Sequence, residues 1–181
     1  MTKAPPLILT LAIDENAQLF FNEKRNLYFP KHVNYLQAHC TLFHKLPSDE
    51  ILVDELLQAV KDRPAMDILV KGLHHIGNGV IYMLECEPLQ LMHKELQQHF
   101  KQWLTNQDRQ TLRPHITVQN KVTAFKSLQL YHALDADFSS FHITANRWRT
   151  AFVLVGMLKV RMFNEILKCE LTGMTLSLLL C

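Results

Sequence analysis

Two stretches, AHCTLFHK at residues 38–45 and RPHITVQNKV at residues 113–122, decide how this sequence folds. Both contain the triplet H-x-T, in which two polar residues stand on either side of an apolar one, Cys40 or Ile116. Such alternation is typical of a β-strand, because successive side chains point to opposite faces. The sequence therefore predicts two strands, each with a histidine and a threonine on one face. These four residues are His39, Thr41, His115 and Thr117.

The apolar residues of the second stretch indicate which face of its strand is buried. Ile116 and Val118 must point inward, which leaves His115, Thr117 and Gln119 facing a cleft or solvent. The same alternation sorts the first stretch into His39, Thr41 and Phe43 on the polar face and Cys40, Leu42 and His44 on the other. Both triplets are thus predicted to face a cleft.

An offset of 76 residues aligns the two halves of the chain. It superposes the H-x-T triplets, a helix over 48–60 on one over 124–133, and a strand over 66–74 on one over 142–150. This internal duplication predicts an α+β fold of two pseudo-symmetric lobes. Each lobe is expected to be a small, mainly antiparallel sheet with helices packed outside, and the active-site cleft is expected to lie between the lobes.

Hydrophobic periodicity and turn residues predict the remaining elements. Gly77-Asn78-Gly79 predicts a hairpin turn, and Ser48 a helix cap. The expected strands are 7–13, 38–45, 66–74, 80–86, 115–119 and 138–149, and the expected helices 15–27, 48–60, 88–104 and 122–133.

Composition narrows the classes of function. The 181 residues carry a net charge of +2, too mild for a surface that coats nucleic acid. The four cysteines have no zinc-like spacing, so we expect no structural metal and no cofactor. The N-terminal apolar run is too short for a signal peptide, and none of the apolar stretches is long enough to cross a bilayer. We expect a cytoplasmic monomer that does not contact membranes.

Two imidazoles on one cleft suit a particular reaction. Cleaving a phosphodiester without a metal requires one group that removes a proton and another that donates one, and His39 and His115 can do both near neutral pH. The hydroxyls of Thr41 and Thr117 can donate to phosphate oxygens. Three cations near the triplets are candidates for binding the phosphate: Lys45, Arg113 and Lys121.

These paired strands resemble the signatures of the 2H phosphoesterase superfamily, in its 2′-5′ RNA ligase-like branch. The resemblance covers about residues 7–149 and implies a single two-lobed domain over 1–150. It also implies metal-free catalysis by His39 and His115, with Thr41 and Thr117 on the phosphate of a 2′,3′-cyclic phosphate or a 2′-5′ bond. The resemblance further implies RNA ends or small cyclic nucleotides as substrates, and reversible 2′-5′ RNA ligation as an additional activity. In this branch we would expect a Trp-Arg and glycine-rich closing segment after the last strand, and residues 151–181 depart from that pattern as an atypical C-terminal segment.

Other interpretations stay open at this point. The chain could be a binding protein that holds a nucleotide or an RNA end in the same cleft without turnover. His44 and Cys40 are expected to be structural, and Phe43 and Tyr82 are expected to pack in the core rather than stack on a base. His74 and His75 are more simply explained as turn residues than as metal ligands.

Overall fold

The computed structural model describes residues 7–47, 50–60 and 63–152. They form α-helices together with a sheet of antiparallel strands, which confirms the predicted α+β class. The helices are α1 Glu15–Tyr28, α2 Glu50–Val60, α3 Glu87–His99 and α4 Ala124–Asp135. The strands are β1 Leu7–Ile13, β2 Cys40–Leu46, β3 Met66–His75, β4 Val80–Glu85, β5 His115–Gln119 and β6 Phe141–Phe152. No helix in these ranges is long and apolar enough to cross a membrane.

Capping side chains decide where two helices begin. Asp14 and Thr123 each accept a hydrogen bond from the amide three residues later, which satisfies a donor that lacks a partner within the helix. The last helix consequently starts at Ala124, two residues later than predicted. The helix predicted to reach residue 104 ends at His99, and a 3-10 turn follows at Lys101–Trp103. The predicted cap at position 48 and residues 153–181 of the tail lie outside the described residues.

The order of elements repeats along the chain. Strand, helix, 3-10 turn, strand, helix and strand run from β1 to β3 and again from β4 to β6. The strands pair in the order β1-β2-β5-β4-β3-β6, all antiparallel, and β6 closes the sheet onto β1. Ile68 of β3 lies opposite Ile143 of β6, and Cys40 of β2 lies opposite Ile116 of β5. Two pairs of strands that occupy the same place in the repeat, β2 with β5 and β3 with β6, therefore lie side by side, whereas β1 and β4 do not.

A β-bulge follows the threonine of each H-x-T triplet. Thr41 and Phe43 lie opposite consecutive residues of β1, and Thr117 and Gln119 lie opposite consecutive residues of β4. An extra residue in one strand interrupts the alternation of side chains. Phe43 and Gln119 are accordingly buried. The prediction that they share the polar face of the triplets is therefore wrong.

The hairpin between β3 and β4 is confirmed and braces the end of β5. Gly77 has a φ of +80°, a conformation that glycine adopts without strain. A side chain at Gly79 would collide with the main-chain carbonyl of Gln119. Only glycine fits this approach, because the turn lies directly against the strand that carries the second triplet.

Aromatic side chains connect the helices to the sheet. Phe21 of α1 meets Tyr82 of β4 edge to face, with ring centroids 5.3 Å apart. Phe21, Phe43 and Phe100 are fully buried, and burial of such a side chain stabilises a fold by about 1.5–3 kcal/mol. Tyr82 is also buried, as expected for a core residue. This packing leaves the opposite face of β4 and β5 for the triplet side chains.

Candidate active site

The register of β2 and β5 brings the two triplets together. Cys40 and Ile116 lie opposite each other, and both are fully buried on the core face. In an antiparallel pair the residues on either side are then also opposite each other, and they point away from the core. Opposite β-carbons lie about 4.5–5.5 Å apart. Continuing this register by one residue in each direction sets His39, which directly precedes β2, against Thr117, and Thr41 against His115.

The two imidazoles are held in the same way. The Nδ1 atom of His39 lies 2.7 Å from the carbonyl oxygen of Gln37, and that of His115 lies 2.7 Å from the carbonyl oxygen of Arg113. A carbonyl oxygen only accepts hydrogen bonds, so each Nδ1 carries a proton and donates it. In the neutral ring the free lone pair is therefore on Nε2, which is the atom available for proton transfer.

The surroundings of His39 favour its neutral form. Burial of the half-buried ring is the main cause that lowers the pKa of His39, and the hydrogen bond to Gln37 opposes it. The positive charges of Arg25, His115 and His44 lower the pKa further. His44 was expected to be structural on the opposite face, yet its side chain is 44% exposed and its charge acts on His39.

Arg25 of α1 is a charged residue at this site that the motifs did not indicate. Its side chain is buried, with 5% of the residue surface exposed. Nη1 donates to the carbonyl oxygen of Thr117 at 2.8 Å and Nη2 donates to Oδ1 of Asn34 at 2.9 Å. The guanidinium carbon lies 4.3 Å from the ring centre of Phe29. Burial lowers the pKa of Arg25, but a guanidinium remains charged in proteins.

His93 of α3 makes a similar contact with the other motif strand. Its Nε2 donates to the carbonyl oxygen of Leu42 at 3.1 Å, and its ring stacks on Phe43 with centroids 4.6 Å apart. Burial lowers the pKa of His93, which favours a neutral ring. Each motif strand is thus held at its bulge by a buried side chain from a helix of the other half.

Asp108 fixes the end of β2. Its buried carboxylate accepts hydrogen bonds from the amides of His44 at 2.7 Å and Lys45 at 3.2 Å and from the hydroxyl of Thr105 at 2.8 Å. Burial by itself raises the pKa of Asp108, but the bonds from His44 and Thr105 outweigh it and lower the pKa overall. The loop that leads to β5 is thereby tied to β2.

The contacts that the structure shows for the three predicted phosphate-binding cations are made by their main-chain atoms. The Lys45 amide binds Asp108, and the Arg113 carbonyl accepts from His115. Lys121 has a φ of 59°, and its amide donates to Oδ1 of Asn120 at 2.7 Å. All three side chains are exposed. Their contact with a phosphate stays a prediction.

Two surface cavities lie apart from the triplets. One of about 470 Å³ includes Asp14, Phe20 and Thr144, and one of about 380 Å³ includes Phe20, Tyr82 and Phe138. None of the four triplet residues lines either cavity. Within the described part of the chain, no group of three or more His, Cys, Asp or Glu side chains is placed to hold a metal ion.

An α+β fold in which two H-x-T strands lie antiparallel and present their histidines and threonines on one face defines the class of 2H phosphoesterases. The family model of the 2′-5′ RNA ligase superfamily matches residues 13–150, a range that includes both triplets. The chain belongs to that superfamily, as the resemblance implied. The superfamily is generally enzymatic, comprising phosphoesterases and ligases. No curated protein matches the sequence.

Proposed function

We propose that this protein is a metal-independent phosphodiesterase that acts on 2′,3′-cyclic phosphates or 2′-5′ phosphodiester bonds of RNA ends or small nucleotides. Ligation, in which a 5′-hydroxyl attacks a 2′,3′-cyclic phosphate and a 2′-5′ bond forms as the bond to the 3′-oxygen breaks, is the reverse of cleaving that 2′-5′ bond with the 3′-hydroxyl as nucleophile. The observation that supports the proposal is the antiparallel pairing of the two motif strands at Cys40 and Ile116, with the Nδ1 atoms of both motif histidines committed to carbonyl oxygens.

The proposed reaction uses His39 and His115 in unequal protonation states. The neutral imidazole takes a proton from the attacking water or hydroxyl through Nε2, while the protonated imidazole gives its Nε2 proton to the departing oxygen. The oxygen–phosphorus bond to the nucleophile forms as the bond to the leaving group breaks. Thr41 and Thr117 donate hydrogen bonds to the non-bridging oxygens.

We further propose that the chain is a single domain over 1–150, built from two lobes that face each other across a cleft containing the four side chains. The repeated order of elements supports this arrangement, as do the pairs Ile68 with Ile143 and Cys40 with Ile116. Lys45, Arg113 and Lys121 are proposed to offset the phosphate charge. A cytoplasmic monomer that needs no cofactor completes the proposal.

The deciding experiment measures turnover of 2′,3′-cyclic nucleotides and 2′-5′-linked dinucleotides from about pH 5 to 9, with and without excess EDTA. A pair of coupled histidines predicts a bell-shaped profile with two apparent pKa values that belong to the pair. The rate should be the same with chelator. Loss of activity in EDTA that one added divalent ion restores would overturn the metal-independent mechanism. Binding of these nucleotides without turnover would instead identify a binding protein.

A further inference from the structure

Arg25 connects three parts of the molecule that meet at the second motif. Its guanidinium extends from α1 of the first half to the carbonyl oxygen of Thr117 in the second half, and it also binds Asn34 in the loop that leads to β2. The register at Cys40 and Ile116 brings Thr117 toward the first triplet, and the charge of Arg25 acts on His39. Burying a guanidinium costs free energy unless its N–H groups are hydrogen-bonded, as Nη1 and Nη2 are here.

The matching helix of the other half carries a neutral side chain at the same distance from its start. Arg25 is the eleventh residue of α1, and Gln97 is the eleventh residue of α3. Gln97 donates to the carbonyl oxygens of Asp108 and Gln110, at 2.8 and 2.9 Å, and so connects α3 to the following loop. Arg25 makes the comparable loop contact with Asn34 and in addition reaches the Thr117 carbonyl of β5, the contact that needs a separate explanation.

We propose that Arg25 is a positioning residue that holds Thr117 at the bulge of β5 and places a fixed positive charge beside the first motif. The proposal rests on the two-histidine function described above. The charged or titratable groups that act on His39 are Arg25 from α1, His115 from β5 and His44 from β2. Among these three, Arg25 keeps its charge at every pH in the working range. Its charge therefore acts on His39 whatever the protonation states of His115 and His44.

The electrostatic part is tested without substrate, by following the imidazole titration of His39 by NMR in the full chain. Arg25→Met removes the charge, and we expect His39 to titrate at higher pH than in the wild type. Lys94→Met on the exposed face of α3 removes the same charge elsewhere and should leave the titration unchanged. If Arg25→Met does not fold, Arg25→Gln removes the charge and keeps a donor. Unchanged titration of His39 in a folded, uncharged variant would overturn the proposal.

The positioning part is tested by kinetics. Arg25→Lys keeps the charge but loses the planar fork, so kcat should fall about ten- to a hundredfold with little change in KM, and the pH profile should keep its limbs. Arg25→Met should lower kcat and also move one limb of the profile to higher pH. Wild-type kcat in both folded variants would overturn the positioning role. Failure of the proposed function would look different, because the wild type itself would then turn over none of the substrates.

Discussion

The two motif strands are supported in the same place by different chemistry. Burial favours the neutral form of His93, which binds the Leu42 carbonyl of β2, while the permanently charged Arg25 binds the Thr117 carbonyl of β5. A repeated fold therefore does not produce two identical environments. The residues that make the halves unequal lie outside the H-x-T triplets, on helices of the opposite half.

The histidines of the two triplets make the same main-chain contact. Both histidines donate Nδ1–H to the carbonyl two residues earlier, which gives them the same tautomer. Acid–base catalysis needs one neutral and one protonated ring. Because the main-chain contacts are the same, a distinction has to come from the surroundings of each ring, and at His39 these are burial first and then the nearby charges, including that of Arg25.

The largest expected effect comes from removing either imidazole. His39→Ala and His115→Ala should each lower turnover of a cyclic nucleotide at least about a hundredfold, because each proton transfer contributes about 10²–10⁴. The double variant should be little worse than either single one, since the pair acts as a unit. His142→Ala is a matched control, since this exposed histidine pairs with Asp67 outside the triplets. Near-normal turnover by either single variant would contradict a mechanism that needs both.

The next effect compares the two hydroxyls. Thr41→Val and Thr117→Val keep the shape of the side chain and lose the donor, so each should cost about 2–4 kcal/mol of transition-state stabilisation with little change in folding. Thr144→Val on the exposed surface of β6 is the control. Steady-state kinetics and circular dichroism separate activity from folding. Full activity in both triplet variants would make the threonines structural.

The sequence was sufficient to predict the strands, the hairpin and the repeat, because strand periodicity and glycine-rich turns are local signals. The bulges at Leu42 and Val118 could not be predicted, since neither position carries a glycine or another bulge residue. The burial of Phe43 and Gln119 depends on those bulges. Alternation is thus informative only as far as the ladder remains regular.

The burial of Arg25 could have been suspected from the spacing of apolar residues in α1 rather than from the strands. It continues the buried stripe of α1 formed by Ala17 and Phe21, four residues apart, so a charge stands where an apolar residue is expected. Its partner, the carbonyl of Thr117, is 92 residues away, and no local pattern predicts such a contact. No sequence pattern indicates the role of Asp108, because it lies in a loop and two of its hydrogen-bond donors are main-chain amides of β2.

A smaller effect, on stability, tests the support of β2. Asp108→Asn leaves one oxygen for the amides of His44 and Lys45 and turns an NH₂ group toward donors, so the free energy of unfolding should fall by about 2–3 kcal/mol at pH 7. Because the pKa of Asp108 is lowered below its ordinary 3.8, its stabilising contribution is present above that value and is lost as the pH falls through the lowered pKa. Asp137→Asn, on the surface, is the control for urea denaturation. Equal stability of the two variants would contradict this role.

The smallest effect is on thermal stability and tests whether the contact of the neutral His93 ring with β2 depends on pH. Burial lowers the pKa of His93 below its ordinary 6.5. As the pH drops below about 6.5, the unfolded chain therefore binds a proton at His93 more readily than the native protein does, and the free energy of unfolding should fall. His93→Gln keeps a donor for the Leu42 carbonyl but cannot be protonated. Its melting temperature should therefore decline less between pH 7 and 5, by about 2–4 °C, while His39 still contributes some decline. His32→Gln, an exposed histidine in the 3-10 turn after α1, should follow the wild type. Equal declines in wild type and His93→Gln would show that the His93 proton is not linked to folding.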